Sequence, residues 1–296
     1  MQLDDLRIFL ATVDAQSFTA AARKLSLSKQ FVSRRVMALE AELGVRLLVR
    51  NTRKLAVTDL GRELYDRARR IVAEVEEAEQ AMSSQHAEPR GLLRVSAPMS
   101  FGMTHLSPLV TEFLKRNDAV RFDIVLSDRS VDVIGEGFDM AIRIGMLADS
   151  TLIAQKIADL RVVACCSPGY RRRRGEPSSP LELDAHECLL YGHERPVTWE
   201  FVIGGARKAV EVDGRLHVNN GELIRDAAAA GLGIALLPEF IVAHALKVGT
   251  LVTVLQAFER PPFGLYAVYP QHRQRSSTIR AFTSFLREEL TGKTGI

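Results

Sequence analysis

Cysteine is scarce. The 296 residues hold three, Cys165, Cys166 and Cys188, an odd count with an adjacent pair. Such a set is no disulfide framework, and it fits a compartment that keeps thiols reduced. No apolar run approaches the roughly 20 residues that cross a bilayer, and nothing reads as a secretory signal. The expectation is a cytoplasmic protein without membrane contact. The seven histidines, His86, His105, His186, His193, His217, His244 and His272, are scattered without metal-ligand spacing. A nucleophile elbow and a Ser-His-Asp spacing are both missing. The Gly231, Leu232, Gly233 step lacks the third glycine of a dinucleotide loop, and its strand follows it instead of preceding it. These absences leave no enzyme, metal or cofactor to expect.

What is present is concentrated charge and helical spacing in 17–61. Phe18, Ala21, Ala22 and Leu25, then Val32, Val36, Leu39 and Leu43, recur as the buried faces of two short helices joined by a tight turn. The second helix turns Lys29, Gln30, Ser33 and Arg34 outward. Residues 17–58 contain nine Lys and Arg against Glu40 and Glu42, a net of +7, whereas the whole chain carries only +3. A basic stripe on a helix whose other face is fixed to its domain is the footprint of nucleic-acid binding. Ser28 stands where an N-cap belongs, and helix-start amides also favour a phosphate. Gly44 reads as a C-cap glycine. Glu40 reads as a structural partner for a nearby base.

The set Phe9, Val13, Ser17, Phe18, Thr19, Ala21, Ala22, Leu25, Ser28, Val32, Ser33, Val36, Leu39, Glu40, Leu43, Gly44, Leu47, Leu48, Arg50, Arg53, Leu55, Thr58 and Gly61 resembles the DNA-binding domain of LysR-type transcriptional regulators. The resemblance implies a winged helix-turn-helix over 1–58, with 28–42 as recognition helix and about 45–57 as wing. It implies DNA contacts from Lys29, Gln30, Ser33 and Arg34 in the groove, from Ser28 at the helix start, and from Arg50, Arg53 and Lys54 on the wing. Lys29, Gln30 and Phe31 depart from the Gln-Pro-Ala type sequence frequent in the family.

Residues 59–90 change character. Leu64, Ala68, Ile71, Val75, Ala78 and Met82 are spaced 4, 3, 4, 3, 4, a heptad seam. Residues 59–88 carry a net of −4. Such a helix keeps off DNA and, as a dimerisation helix, holds two DNA-binding domains apart, with no globular partner in reach before residue 91; an amphipathic helix packed on its own chain is the competing reading. The Glu88, Pro89, Arg90, Gly91 step reads as a hinge.

Short apolar runs alternate with helical stretches from residue 91 onward, which points to an α/β fold with a mostly parallel sheet. The runs at 139–145 and 230–238 resemble the effector-binding domain of the same family, a two-lobed domain of the periplasmic-binding-protein type. Lobe I would take about 91–160 and 267–296, lobe II about 161–266. Trp199, Gly214, Asn220, Tyr269 and Pro270 resemble the CrgA-like branch. Clefts in such folds form at strand ends and helix starts, which selects Ser100, Phe101, Ser127, Arg143, Tyr191, Asn219, Asn220 and Pro238 as effector contacts. Ordinary helix capping by Ser and Asn competes with that role.

The expected partners are double-stranded DNA carrying an interrupted palindrome, a small-molecule effector, RNA polymerase, and the chain itself as homodimer or homotetramer. Two alternatives stay open: a thiol-based redox sensor on the same fold, and a ligand-sensing protein without a DNA role.

Overall fold

The computed structural model describes residues 1–50, 55–83, 88–145, 151–192 and 196–291, with backbone alone at 50 and 76–83. It divides into two units, Met1–Ala87 and Glu88–Ile296.

The first unit runs α1 (Leu3–Ala15), α2 (Phe18–Lys24), α3 (Lys29–Leu43), the antiparallel hairpin β1 (Leu48–Arg50) and β2 (Leu55–Val57), then α4 (Asp59–Ser83). Ser17 and Ser28 cap α2 and α3, accepting from the amides of Ala20 at 3.3 Å and Phe31 at 3.1 Å. Gly44 stops α3 in the left-handed region, φ 68°. Phe9, Ala21, Ala22, Val32, Val36, Leu39 and Leu47 close the core. Each larger apolar chain there contributes about 1.5–3 kcal/mol by leaving water. The buried Glu40 carboxylate accepts from the amides of Leu47 at 2.8 Å and Leu48 at 3.0 Å, so it fastens the hairpin to α3. Thr58 donates to the Arg46 carbonyl at 2.7 Å and accepts from the Gly61 amide at 2.9 Å, capping α4. A Cβ on Gly61 would lie 2.1 Å from the Leu47 carbonyl oxygen, so glycine is required by close approach.

The seam of α4 has a partner in its own unit, contrary to the sequence expectation. Ala68 and Val72 are buried against Leu6 of α1, with Leu64 beside them. Leu60 and Ile71, 52% and 42% exposed, lie clear of that contact.

Among the described residues the second unit holds two five-stranded sheets and one two-stranded hairpin. In lobe I the strands are β3 (Gly91–Ala97), β4 (Val120–Leu126), β5 (Met140–Ile144) and β6 (Leu152–Leu160). The short α5 (Met99–Phe101) leads through a π-turn into α6 (Ser107–Arg116) between β3 and β4. Lobe II follows with β7 (Val162–Cys166), α7 (Pro168–Arg174), β8 (Cys188–Tyr191), the hairpin β9 (Val197–Ile203) and β10 (Ala206–Val212), β11 (Leu216–Val218), α8 (Gly221–Ala229), β12 (Ile234–Pro238), α9 (Glu239–Lys247) and β13 (Val252–Val254). The chain then returns to lobe I as β14 (Phe263–Pro270) and α10 (Ser277–Leu290).

The sheet orders are β4-β3-β5-β14-β6 and β11-β8-β12-β7-β13. Both are mixed rather than mostly parallel. β14 runs antiparallel to β5 and β6, and β7 antiparallel to β12 and β13. The reason is topological: β6 passes straight into β7 with no helical crossover, and β14 comes back the same way, so each sheet receives reversed strands. Phe263 already pairs with Leu160, so lobe II ends before 263 and not at 266. Phe101, Phe113, Phe282 and Phe285 pack α6 and α10 on one sheet, and Ile224, Ala228 and Val242 pack α8 and α9 on the other. Strand alternation sends Cys165 to the α8 side and Cys166 to the side covered by Trp199 and Phe201.

Candidate nucleic-acid interface and ligand cleft

Helix α3 buries Val32, Val36, Leu39 and Glu40 and leaves Ser28, Lys29, Gln30 and Arg34 exposed, with Ser33 half-buried between the two faces. Arg34 lies over the exposed Phe31 ring, its Cζ 5.7 Å from the centroid. Arg35 turns the other way, to Asp5 at 2.5 Å and Gln2 at 3.0 Å, so it braces α1 against α3. One helix thus carries an apolar seam, a structural arginine at its edge and a polar, cationic outer face. Arg50 is the last residue of β1, and its side chain lies outside the described residues, as do Arg53 and Lys54.

In the second unit the C-terminal ends of β3, β4, β5, β8 and β12 converge on a cavity of about 430 Å³ with walls from both lobes. Six of the eight residues expected there line it: Ser100, Phe101, Ser127, Arg143, Tyr191 and Pro238. Asn219 and Asn220 do not. Asn219 is exposed. Asn220 caps α8, accepting from the Leu223 amide at 2.9 Å, and donates to Glu222 at 3.1 Å. Capping, the competing role, therefore claims Asn220. Glu222 also accepts from the Ser100 hydroxyl at 2.6 Å, a hydrogen bond between the lobes.

Sequence reasoning missed several wall residues. Arg129, Glu200, Arg260 and Phe263 all line the cavity, as does Trp199. Arg260 stands in the loop before β14, pairs with Glu200 at 2.9 Å and lies 3.8 Å from the Phe263 centroid. No local pattern marks it. Trp199 had a signal of its own, as the single tryptophan of the chain.

Burial depresses the proton affinity of the Arg143 guanidinium. Burial, then the Asp128 and Glu222 carboxylates, push the Tyr191 phenol up to about 12, so it stays a neutral donor. All three cysteines are free and buried. Burial pushes Cys165 and Cys188 up to about 12 and Cys166 to about 11. Among the described residues no cluster of His, Cys, Asp or Glu has the make-up of a metal site, and no helix is long and apolar enough to cross a membrane.

Two family models match the chain. The bacterial regulatory helix-turn-helix protein model of the lysR family covers residues 3–62, and the LysR substrate binding domain covers 86–291. The transcriptional regulator PtxR of Pseudomonas aeruginosa is 36% identical over 98% of this chain and 93% of its own length. CrgA of Neisseria meningitidis is 34% identical over 97% and 96%. A solved structure of CrgA superposes with a TM-score of 0.61 at 33% identity, covering 99% of this chain and all of that one. The full-length Vibrio cholerae virulence activator AphB gives 0.59 at 27% identity. Matches that span both units, and do so across nearly the whole length of each relative, place this chain in the LysR family of DNA-binding transcriptional regulators.

Proposed function

We propose that the chain is a sequence-specific regulator that sets α3 of two copies into successive major grooves of an interrupted palindrome and responds to a small molecule held between its lobes. The single observation that carries the reading is the outer face of α3, where Lys29, Gln30 and Arg34 stand exposed while the opposite face is sealed in the core. Groove contacts from Lys29, Gln30, Ser33 and Arg34 specify sequence. Ser28 and the wing residues Arg50, Arg53 and Lys54 position the protein on phosphates. The exposed Leu60 and Ile71 supply a face of α4 on which a second copy, in a homodimer or homotetramer, can pack. Ser100, Phe101, Ser127, Arg143, Tyr191 and Pro238 contact the effector, and Asn220 acts on Ser100 through Glu222. Effector binding re-sets the lobes and through the oligomer changes access of RNA polymerase, in the cytoplasm where the DNA is. The redox alternative gains nothing from three buried thiols that stay protonated at neutral pH. A ligand sensor without a DNA role leaves the cationic face of α3 without a purpose.

Selection of genomic fragments by the full-length protein at near-physiological salt tests this. Enrichment of a few fragments sharing an interrupted palindrome is expected, and even binding across all fragments would overturn the specific reading. Arg34→Ala should weaken binding to the enriched site by about 1–3 kcal/mol if it reads a base, or lower the salt slope by about one if it meets a phosphate. Unchanged affinity and slope remove Arg34 from the interface.

A further inference from the structure

We infer that the effector is a small organic carboxylate with an apolar, ring-sized body, its charge held by Arg143; the inference rests on the effector-cleft reading above. Among the described residues three guanidinium groups line the cavity, and they differ in one respect. Arg129 holds both oxygens of Glu136, one of them at 2.8 Å. Arg260 holds Glu200 at 2.9 Å. Arg143 forms no ion pair among the described residues. Its Nη1 has only the Ile142 carbonyl at 3.5 Å, and its Nη2 is shielded from solvent with no hydrogen-bond partner. Glu136, whose charge favours the Arg143 cation, has its oxygens taken by Arg129 and by the Asp132 amide at 3.1 Å.

A guanidinium cannot escape burial by losing its proton at neutral pH. Arg143 is therefore a part-buried charge with no counter-charge paired to it among the described residues, and such a group invites an anion. A carboxylate matches the planar fork in shape and supplies one negative charge. A phosphate dianion fits poorly, because Arg129 and Arg260 are already neutralised by Glu136 and Glu200 and the Asp128 carboxylate also stands on the wall. Phe101, Ile144, Trp199, Leu236, Phe240 and Phe263 give the cavity a broad apolar wall beside the hydroxyls of Ser100, Ser127, Ser130, Thr198 and Tyr191. A cavity of about 430 Å³ is at the small end of ligand pockets and accommodates one ring with a short chain.

Trp199 makes the test direct, since the single tryptophan of the chain lines the cavity and its emission reports on occupancy. The full-length protein is titrated with benzoate and phenylacetate and with their neutral isosteres benzamide and phenylacetamide. At least one carboxylate is expected to change Trp199 emission saturably, with its amide bound about 10- to 100-fold more weakly, the range of one charge-assisted hydrogen-bonded contact. Arg143→Gln should erase that preference, and Arg143→Lys, a charge without the fork, should keep part of it. Without ligand, Arg143→Gln should melt no lower than the parent; a clear loss of stability would mean that the chain itself satisfies Arg143 and would overturn the inference. So would amides that bind as well as carboxylates, a preference that survives Arg143→Gln, or no response to any carboxylate up to roughly 10 mM. Ile144→Phe, which fills part of the wall, separates the two readings. If it abolishes binding of carboxylate and amide alike while their affinities are equal, the cleft reading stands and only the charge assignment falls. If the response survives both Ile144→Phe and Arg143→Gln, the probe binds elsewhere and both fall.

Discussion

At the scale of single residues, the strongest commitments are buried polar groups with one task each. Glu40 accepts from two backbone amides of the wing, and its side chain is nearly closed to water. Removing the carboxylate leaves both donors buried and unpaired, the costly side of the hydrogen-bond asymmetry. Glu40→Ala should therefore cost about 3 kcal/mol by chemical denaturation; a cost below about 1 kcal/mol would show that the wing finds other acceptors. The thiols give a second residue-scale consequence. Cys165 and Cys188 titrate near 12 in the fold against 9.0 in an open chain, because burial disfavours the thiolate. The folded state thus binds more protons than the unfolded state above pH 9, so stability falls as pH rises through the interval from about 9 to 12. Denaturation midpoints should drop from about pH 9 upward, and the drop should be shallower in Cys188→Ala. Equal slopes in parent and variant would show that Cys188 is not a source of the loss.

At the scale of elements, α4 has one face packed on α1 and another left exposed. Ala68 and Val72 anchor it to α1, which keeps the helix-turn-helix at a fixed angle to the linker helix, while Ile71 lies outside that contact. Ile71→Glu should abolish self-association in light scattering and leave the melting of the first unit within about 0.5 kcal/mol of the parent, as expected of an exposed site. A dimer that survives the charge would move the interface elsewhere. The split between the faces shows what the sequence can and cannot reveal. Heptad spacing announced an apolar stripe but not that α1 covers part of it, because periodicity reports burial and not the identity of the cover. The caps of α3 were readable for the opposite reason: Ser28 accepts from an amide three residues on and Gly44 donates its own amide to carbonyls three and four residues back, so the signal and its cause sit together. The cleft was half readable. Strand ends pointed to Ser100, Ser127, Arg143 and Tyr191, whereas Arg260 comes from an irregular loop and the Ser100–Glu222 bond joins residues 122 positions apart.

At the scale of the whole second unit, two crossings and one remote bond govern how the lobes stand. Arg161 lies between β6 and β7 and ties both crossings together, pairing with Glu239 at 3.1 Å and with Glu259 at 2.7 and 2.9 Å. Its side chain is about half exposed, so this clamp steers more than it stabilises. The Ser100–Glu222 bond is different. It is part-buried and its acceptor is charged, and a hydrogen bond of that kind contributes about 1.5–3 kcal/mol. That is enough to shift a two-state lobe equilibrium about ten- to a hundredfold, the scale on which a ligand with different affinities for two states acts. Ser100→Ala removes the donor and leaves Glu222 with Asn220 alone. Trp199, 5% exposed at the wall of the same cleft, should then become more accessible to acrylamide, with a clearly larger quenching constant than in the parent. Glu222→Gln, which keeps a neutral acceptor, should give a smaller increase. If Ser100→Ala quenches like the parent, the bond decorates a lobe arrangement that the crossings alone dictate. If it quenches more, one hydroxyl helps to hold the lobes in this arrangement, and an effector that takes that hydroxyl from Glu222 has a direct means of releasing them.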